Sequence, residues 1–294
     1  MSSPLSILVS LLLLAQFSFA NYPDNWINPE TERAIQRTLT YYFYGDGIHD
    51  IETLTKAYHP QAYLTYVDVN TGKYEKFHVG DYLSTLAGKK AHPVKRILKV
   101  RHMDITGHAA QVKTEIIYPD RGMRINDYLT LHYLEEEWRI VSRTSYKEFA
   151  SFETEKIPFW KKSLHENHQQ INQVLEKYLE GGDENNPEAL KTAFHPQADL
   201  SYIDPRKGTY HSVNFDDYLN QKLYTTPEKV TPKRNHEIQS VDITGNIAVA
   251  KIRIRYKRYK ASVTDYVSLI KSDGKWRIIH KATDKEKKAI LAPV

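Results

Sequence analysis

Apolar residues recur along this chain at two periods, and the order of those periods is written twice. From residue 28 onward Ile35, Leu39, Tyr42 and Phe43 fall at spacings of four and three, one stripe of a helix. Asn28-Pro29-Glu30 supplies its start: a capping side chain, proline at the first helical position, then an acid facing the helix dipole. Gly45 and Gly47 predict its end. A shorter helix is predicted from about Asp50 to Tyr58, stopping where His59 precedes Pro60, since a residue before proline is pushed out of the helical region. The period then changes to two. Ala62, Leu64, Tyr66 and Asp68 share one strand face, with Tyr63, Thr65 and Val67 on the other. Asn70-Thr71-Gly72 turns the chain into a short strand at Lys73 to Phe77, and Asp81-Tyr82-Leu83 belongs to another short helix. After Pro93 four long strands are predicted near 94–106, 108–118, 123–134 and 137–147. Their short turns imply antiparallel neighbours.

The same order returns later. Tyr58-His59-Pro60-Gln61-Ala62 reappears as Phe194-His195-Pro196-Gln197-Ala198, and Asp81-Tyr82-Leu83 as Asp217-Tyr218-Leu219. Asp104-Ile105-Thr106-Gly107 matches Asp242-Ile243-Thr244-Gly245, and Trp138-Arg139-Ile140 matches Trp276-Arg277-Ile278. Collinear echoes of this kind mean one domain built twice. Ser163-Leu164-His165-Glu166 is a capping-box pattern that opens the second long helix, whose stripe is Ile171, Leu175, Tyr178 and Leu179 and whose predicted end is Gly181-Gly182. The boundaries follow: a first domain over 21–148, a connection over 149–163, a second domain over 164–286 and a tail over 287–294. The connection holds Phe149, Phe152, Ile157, Phe159 and Trp160, which would be costly to leave in water, so it is expected to pack on a domain.

The fold class is therefore α+β: two tandem cone-shaped domains, each a curved, mainly antiparallel sheet wrapped around a long N-terminal helix. The element order, the His-Pro-x-Ala entry into the first strand, the Asp-Ile-Thr-Gly turn and the Trp-Arg-Ile last strand resemble the nuclear transport factor 2-like superfamily. Within it they are most similar to the SnoaL-like and lumazine-binding-type proteins. The resemblance implies a cone able to enclose a small, aromatic or polycyclic ligand. It also implies pairing of the two sheets within the chain as a pseudo-dimer. Function is left open, because the superfamily hosts isomerases, cyclases, dehydratases, binding proteins and scaffolds.

The first twenty residues change the picture of location. They are apolar, carry no charged side chain and end in Ser18-Phe19-Ala20, small residues where a signal peptidase reads. The expectation is a cleaved signal peptide over 1–20 and an exported protein, periplasmic or secreted, with no membrane span once the signal is removed; a retained anchor is the alternative. The absence of cysteine excludes disulfides, thiolate metal sites and a cysteine nucleophile. The net charge of +5 is uneven, since residues 21–150 balance 17 basic against 17 acidic residues. Lys251, Arg253, Arg255 and Lys257 alternate along residues 251–260 and share one strand face. That face is either solvated or a contact for an acidic partner. No nucleic-acid motif accompanies it, and nucleic-acid binding is not expected.

Candidate chemistry comes last. Asp127 shares its strand face with Ile125, Leu129 and Leu131, and Asp265 sits the same way with Val263, Val267 and Leu269. A carboxylate on an apolar face is expensive unless paired, and burial would raise its pKa toward a useful acid or base. The alternative is an aspartate at a bulge or rim, bonded to backbone or arginine. Tyr66 and Tyr202 could supply hydroxyls, with Asp68 and Asp204 farther along that face. The resemblance to ketosteroid isomerase-type proteins, which place carboxyls and a tyrosine in the cone, makes Asp127 with Tyr66 one acid–base candidate. His280, in phase with Trp276 and Ile278, makes Asp265 with His280 the other, unless it is a hydrogen-bonded core histidine. His59 and His195 occupy a helix-to-strand corner, where they either cap the helix or face a ligand. His165 and His168 have helical spacing for two metal ligands, but no third is implied, so no metal is expected. No Gly-rich nucleotide loop or nucleophile elbow is present, and no cofactor is indicated.

Overall fold

The computed structural model describes residues 28–68, 71–89, 94–149, 160–204, 207–223, 234–256 and 261–285. The expected signal peptide, most of the connection and the C-terminal tail lie outside the described residues. The first copy runs α1 (Pro29–Ile48), α2 (Ile51–Ala57), β1 (Tyr58–Val67), β2 (Tyr74–His78), α3 (Val79–Leu86), β3 (Ile97–Thr106), β4 (Ala109–Tyr118), β5 (Met123–Leu134) and β6 (Glu137–Phe149). The second runs α4 (Trp160–Asp183), α5 (Pro187–Ala193), β7 (Phe194–Ile203), β8 (Tyr210–Asn214), α6 (Phe215–Leu223), β9 (Arg234–Thr244), β10 (Ile247–Tyr256), β11 (Ala261–Ser272) and β12 (Lys275–Lys285). Each copy folds one six-stranded sheet, ordered β2-β1-β6-β5-β4-β3 and β8-β7-β12-β11-β10-β9. The first and last long strands pair parallel and every other pair is antiparallel.

Each long helix is held by its apolar stripe against the concave face of its sheet. Ile35, Leu39 and Tyr42 join Leu129, Leu131, Trp138 and Ile140 in one core, and Ile171, Leu175 and Tyr178 join Val267, Leu269, Trp276 and Ile278 in the other. Each such side chain contributes about 1.5–3 kcal/mol through burial. The helix ends differ from expectation. α1 continues through Gly45 and Gly47 and stops at His49, in the left-handed conformation at φ 56°; α4 runs through Gly181 and Gly182 to Asp183. These glycines serve close approach. A Cβ on Gly45 would lie 2.8 Å from Leu54 Cγ, and one on Gly181 2.7 Å from Leu190 Cγ, so the short helices α2 and α5 pack directly on helix backbone. α4 also begins at Trp160, inside the segment read as connection. Phe149, expected to pack, closes β6 at 63% exposure.

The outer faces of the two sheets meet, and several of their contacts come in matched pairs, although Lys76 with Asp199 at 2.5 Å has no counterpart among the described residues. Lys113 Nζ donates to Asp242 at 2.8 Å and Lys251 Nζ to Asp104 at 2.6 Å. The Tyr128 hydroxyl donates to Asp242 at 2.6 Å, and that of Tyr266 donates to Asp104. His59 packs on Tyr210 at 4.3 Å between ring centroids, and Tyr74 on His195 at 4.2 Å. Tyr128, Ile247, Val249, Ile270 and Ile279 fill the apolar centre. This arrangement corrects the reading of the basic strand. Lys251 faces the first copy, and its acidic partner is that copy's own Asp104; Arg255 lies 3.7 Å from Glu237. Residues 257–260 lie outside the described residues.

Candidate functional site: two cones on one frame

A bulge in the last strand of each copy decides which side chains enter the cone. Thr130 pairs with Ser142 and Leu131 with Ile140, so Val141 is the extra residue; in the second copy Ser268 pairs with His280 and Leu269 with Ile278, leaving Ile279 extra. The extra residue shifts the alternation by one position. Ile140 and Arg143 therefore face the first cone, and Ile278 and Lys281 the second.

In the first cone Asp127 is 1% exposed. It accepts a bond from the Tyr42 hydroxyl at 2.7 Å and another from Ser145. Arg143 does not bond the carboxyl. Its Nη1 donates to the Tyr58 hydroxyl at 3.1 Å and to that of Tyr42 at 3.5 Å, while its Cζ lies 5.0 Å from the ring centroid of Tyr82. Burial raises the Asp127 pKa, against the lowering effects of Arg143, Ser145 and Tyr42. The cavity above it has a volume of about 420 Å³ and is walled by Tyr66, Tyr82 and Tyr118, with Asp46, Asp68 and Lys147 on its rim.

The second cone repeats the frame with different chemistry. Asp265 accepts from the Tyr178 hydroxyl at 2.5 Å and from Thr283 at 2.5 Å, and Lys281 Nζ donates to it at 3.2 Å. Burial pushes this carboxyl up too, but the Lys281 charge and the bonds from Thr283, Tyr178 and Lys281 prevail, and its pKa lies below the usual value. The cause is legible in two substitutions. Phe194 stands where the first copy has Tyr58, so the hydroxyl that engages Arg143 there is missing, and the shorter ammonium of Lys281 settles between Asp265 and the Thr283 hydroxyl. The cavity has a volume of about 400 Å³ and is walled by Tyr202, Tyr218 and Tyr256.

The other expected residues are placed as follows. Tyr66 and Asp68 line the first cavity and Tyr202 the second. Asp68 also accepts from the Thr71 backbone at 2.8 Å, and Asp204 accepts from the Lys207 backbone at 3.3 Å in the equivalent turn, outside the lining of the second cavity. His59 and His195 each accept from a backbone amide two residues on, Gln61 and Gln197, and their rings belong to the contact between copies. His280 does not meet Asp265. The bulge turns it to the outer face, where Nε2 lies 3.2 Å from Ser201 Oγ, itself 3.1 Å from His132 Nε2. Burial holds both histidines neutral, His132 lowered to about 4 and His280 to about 3. The pairing of Asp127 with Tyr66 is replaced by Asp127 with Tyr42. Among the described residues no group of three or more His, Cys, Asp or Glu is placed to hold a metal.

Both copies match the family described as "Putative lumazine-binding", over residues 30–146 and 166–283. The chain belongs to this family. A curated relative, "Aldolase FrzH" of Cladobotryum sp., is 26% identical over 105 residues, 35% of this chain and 79% of that protein. Similar solved structures include an NTF2-like protein from Shewanella baltica OS155, 23% identical with a TM-score of 0.37, covering 45% of this chain and 100% of that one. Another, from Methylobacillus flagellatus KT, is 22% identical with a TM-score of 0.37, covering 45% and 97%. In this lumazine-binding-type chain the residues that sequence reasoning missed are Tyr42, Tyr178, Arg143, Lys281, Ser145 and Thr283. The first two were assigned to the helix stripe. The rest lie past the bulge, where simple alternation assigns the wrong face.

Proposed function

We propose that the protein is an exported binder of small aromatic or polycyclic molecules, held in the first cone. Support comes from one observation above all: a cavity of about 420 Å³ walled by tyrosines closes on a buried carboxyl that already carries two hydroxyl donors. A flat ring stacks on Tyr66, Tyr82 or Tyr118, and Arg143 and Lys147 supply donors for its oxygens. The contact between the two sheets supports pairing of the copies as subunits of a dimer pair, with export resting on the apolar N-terminus.

A second reading is proton transfer in the manner of an isomerase, cyclase or dehydratase. It is favoured by Asp127, whose raised pKa and bond to Tyr42 suit a group that gives or takes a proton beside a carbonyl. The relative named an aldolase is compatible with it. Native mass spectrometry of the protein from its own host, beside a Tyr66→Ala variant, tests binding. The expected result is an adduct at one or two per chain that diminishes in the variant. Bare protein in both, with no mass shift on adding aromatic compounds, would sink the proposal.

A further inference from the structure

At one place in the cone wall the two copies have exchanged neighbours. The last turn of α1 reads Asp46-Gly47, and the equivalent turn of α4 reads Gly182-Asp183. One residue along a helix is a rotation of about 100°. In the first copy Asp46 consequently lines the cavity, bonded to Tyr82 and 3.4 Å from Arg96, and Arg96 itself stays outside the lining. In the second copy the acid has left the wall. Asp183 takes the Nε of Arg234 and approaches His236 Nδ1 at 3.6 Å, while Arg234 lines the cavity. Gly182 makes room, since a Cβ there would overlap the guanidinium.

The lining charges follow. The first cavity presents Asp46, Asp68 and Asp127 with Arg143 and Lys147. The second presents Arg234, Lys281 and Lys285 with Asp265 as its lone carboxylate among the described residues. Lys281 is paired with Asp265 and Arg234 with Asp183, which lies outside the lining, so the cavity wall itself carries three cations against one carboxylate, with Lys285 4.8 Å over the ring of Tyr202.

We propose that the second cone holds an anionic small molecule, its acid group facing Arg234 and Lys285 and its ring resting on Tyr202, Tyr218 and Tyr256. This rests on the reading of the cones as ligand sites, and it divides them: the first for neutral polar rings, the second for aromatic acids. A buried guanidinium and an exposed ammonium beside an aromatic wall discriminate between a ring acid and its uncharged isostere.

Isothermal titration with 1-naphthoate and with neutral 1-naphthamide tests the division. Naphthoate is expected to bind at one site per chain, at least tenfold tighter than the amide, and to weaken with added salt. Lys285→Gln, at an exposed position, should weaken naphthoate severalfold. The double variant Gly182→Asp with Asp183→Gly, which writes in the first copy's order, should weaken it more than tenfold while leaving amide binding unchanged. Thermal unfolding and circular dichroism show that each variant is folded. Equal affinity for acid and amide, or naphthoate binding unmoved by either variant, overturns the proposal. So does naphthoate binding that is lost in Tyr66→Ala, which would put the anion in the first cone. Amide binding without a naphthoate preference leaves the cones as ligand sites and removes only the division; binding of neither probe overturns the division together with its basis.

Discussion

Asp127 and Asp265 stand at the same place in two copies of one fold and are held in opposite ways. The second carries an ammonium at 3.2 Å and two hydroxyls, so its charge is compensated. The first carries two hydroxyls, while its neighbouring guanidinium is engaged by Tyr58 and Tyr42. Linkage gives the two opposite signs. The Asp265 pKa is lowered on folding, so its contribution is present above the ordinary carboxylate value and is lost as the pH falls through the folded value. The Asp127 pKa is raised, so its contribution is present below the ordinary value and is lost as the pH rises through the folded one. Asp265→Asn strands a buried cation and is expected to cost about 3–5 kcal/mol at neutral pH. Asp127→Asn keeps an acceptor oxygen for Tyr42 and Ser145 and breaks no ion pair at the carboxyl, so it is expected to cost less, about 1 kcal/mol. Urea denaturation of both variants at pH 7 checks the contrast; equal losses would mean that Arg143 depends on Asp127 as Lys281 depends on Asp265.

At the scale of elements, the glycines inside α1 and α4 and the bulges in β6 and β12 are the features that matter. Alanine is intrinsically the better helix former by about 1 kcal/mol, yet Gly45→Ala sets a methyl against Leu54. The expected outcome is a net loss of about 1–3 kcal/mol, smaller when Gly45→Ala is made in a Leu54→Ala background, read as a double-mutant cycle in thermal or urea unfolding. Additive losses would mean that the two residues do not meet. The same elements explain what the sequence could and could not disclose. The helix stripes, the alternation in the strands and the duplicated motifs announce the α+β cone, because burial on one face imposes a period that survives in the letters. A bulge leaves no such trace. It adds one residue without changing composition, so simple alternation puts His280 on the face that Lys281 occupies. Hydroxyls on the helix stripe, Tyr42 and Tyr178, were hidden for a different reason: a core tyrosine and a site tyrosine have the same spacing.

At the scale of the whole molecule, the contact between copies is matched in the ion pairs of Lys113 and Lys251 and unmatched in that of Lys76 with Asp199 and in its histidines. His132 and His280 meet through Ser201, and the corresponding positions of the opposite copies, Ile270 and Ser142, have no imidazole. Both rings are buried neutral in the fold and titrate near the ordinary histidine value when unfolded. The unfolded chain thus binds more protons below about pH 6.5, and stability is expected to fall as the solution is acidified toward about 4. The slope is about 1.4 kcal/mol per pH unit for each histidine. Chemical denaturation across that range measures it, and His280→Ser, which restores the residue of the first copy, should remove about half. A flat profile in the native chain would show that the rings are charged or exposed in the fold.

In an assembly of two identical subunits, every inherited change is made in both halves at once, so a pocket cannot alter without its twin altering too. Joining the halves in one reading frame removes that constraint. The exchange of Asp46-Gly47 for Gly182-Asp183 is a change that a symmetric pair could never have kept to one side, and its presence marks a lineage in which duplication came first and specialisation followed.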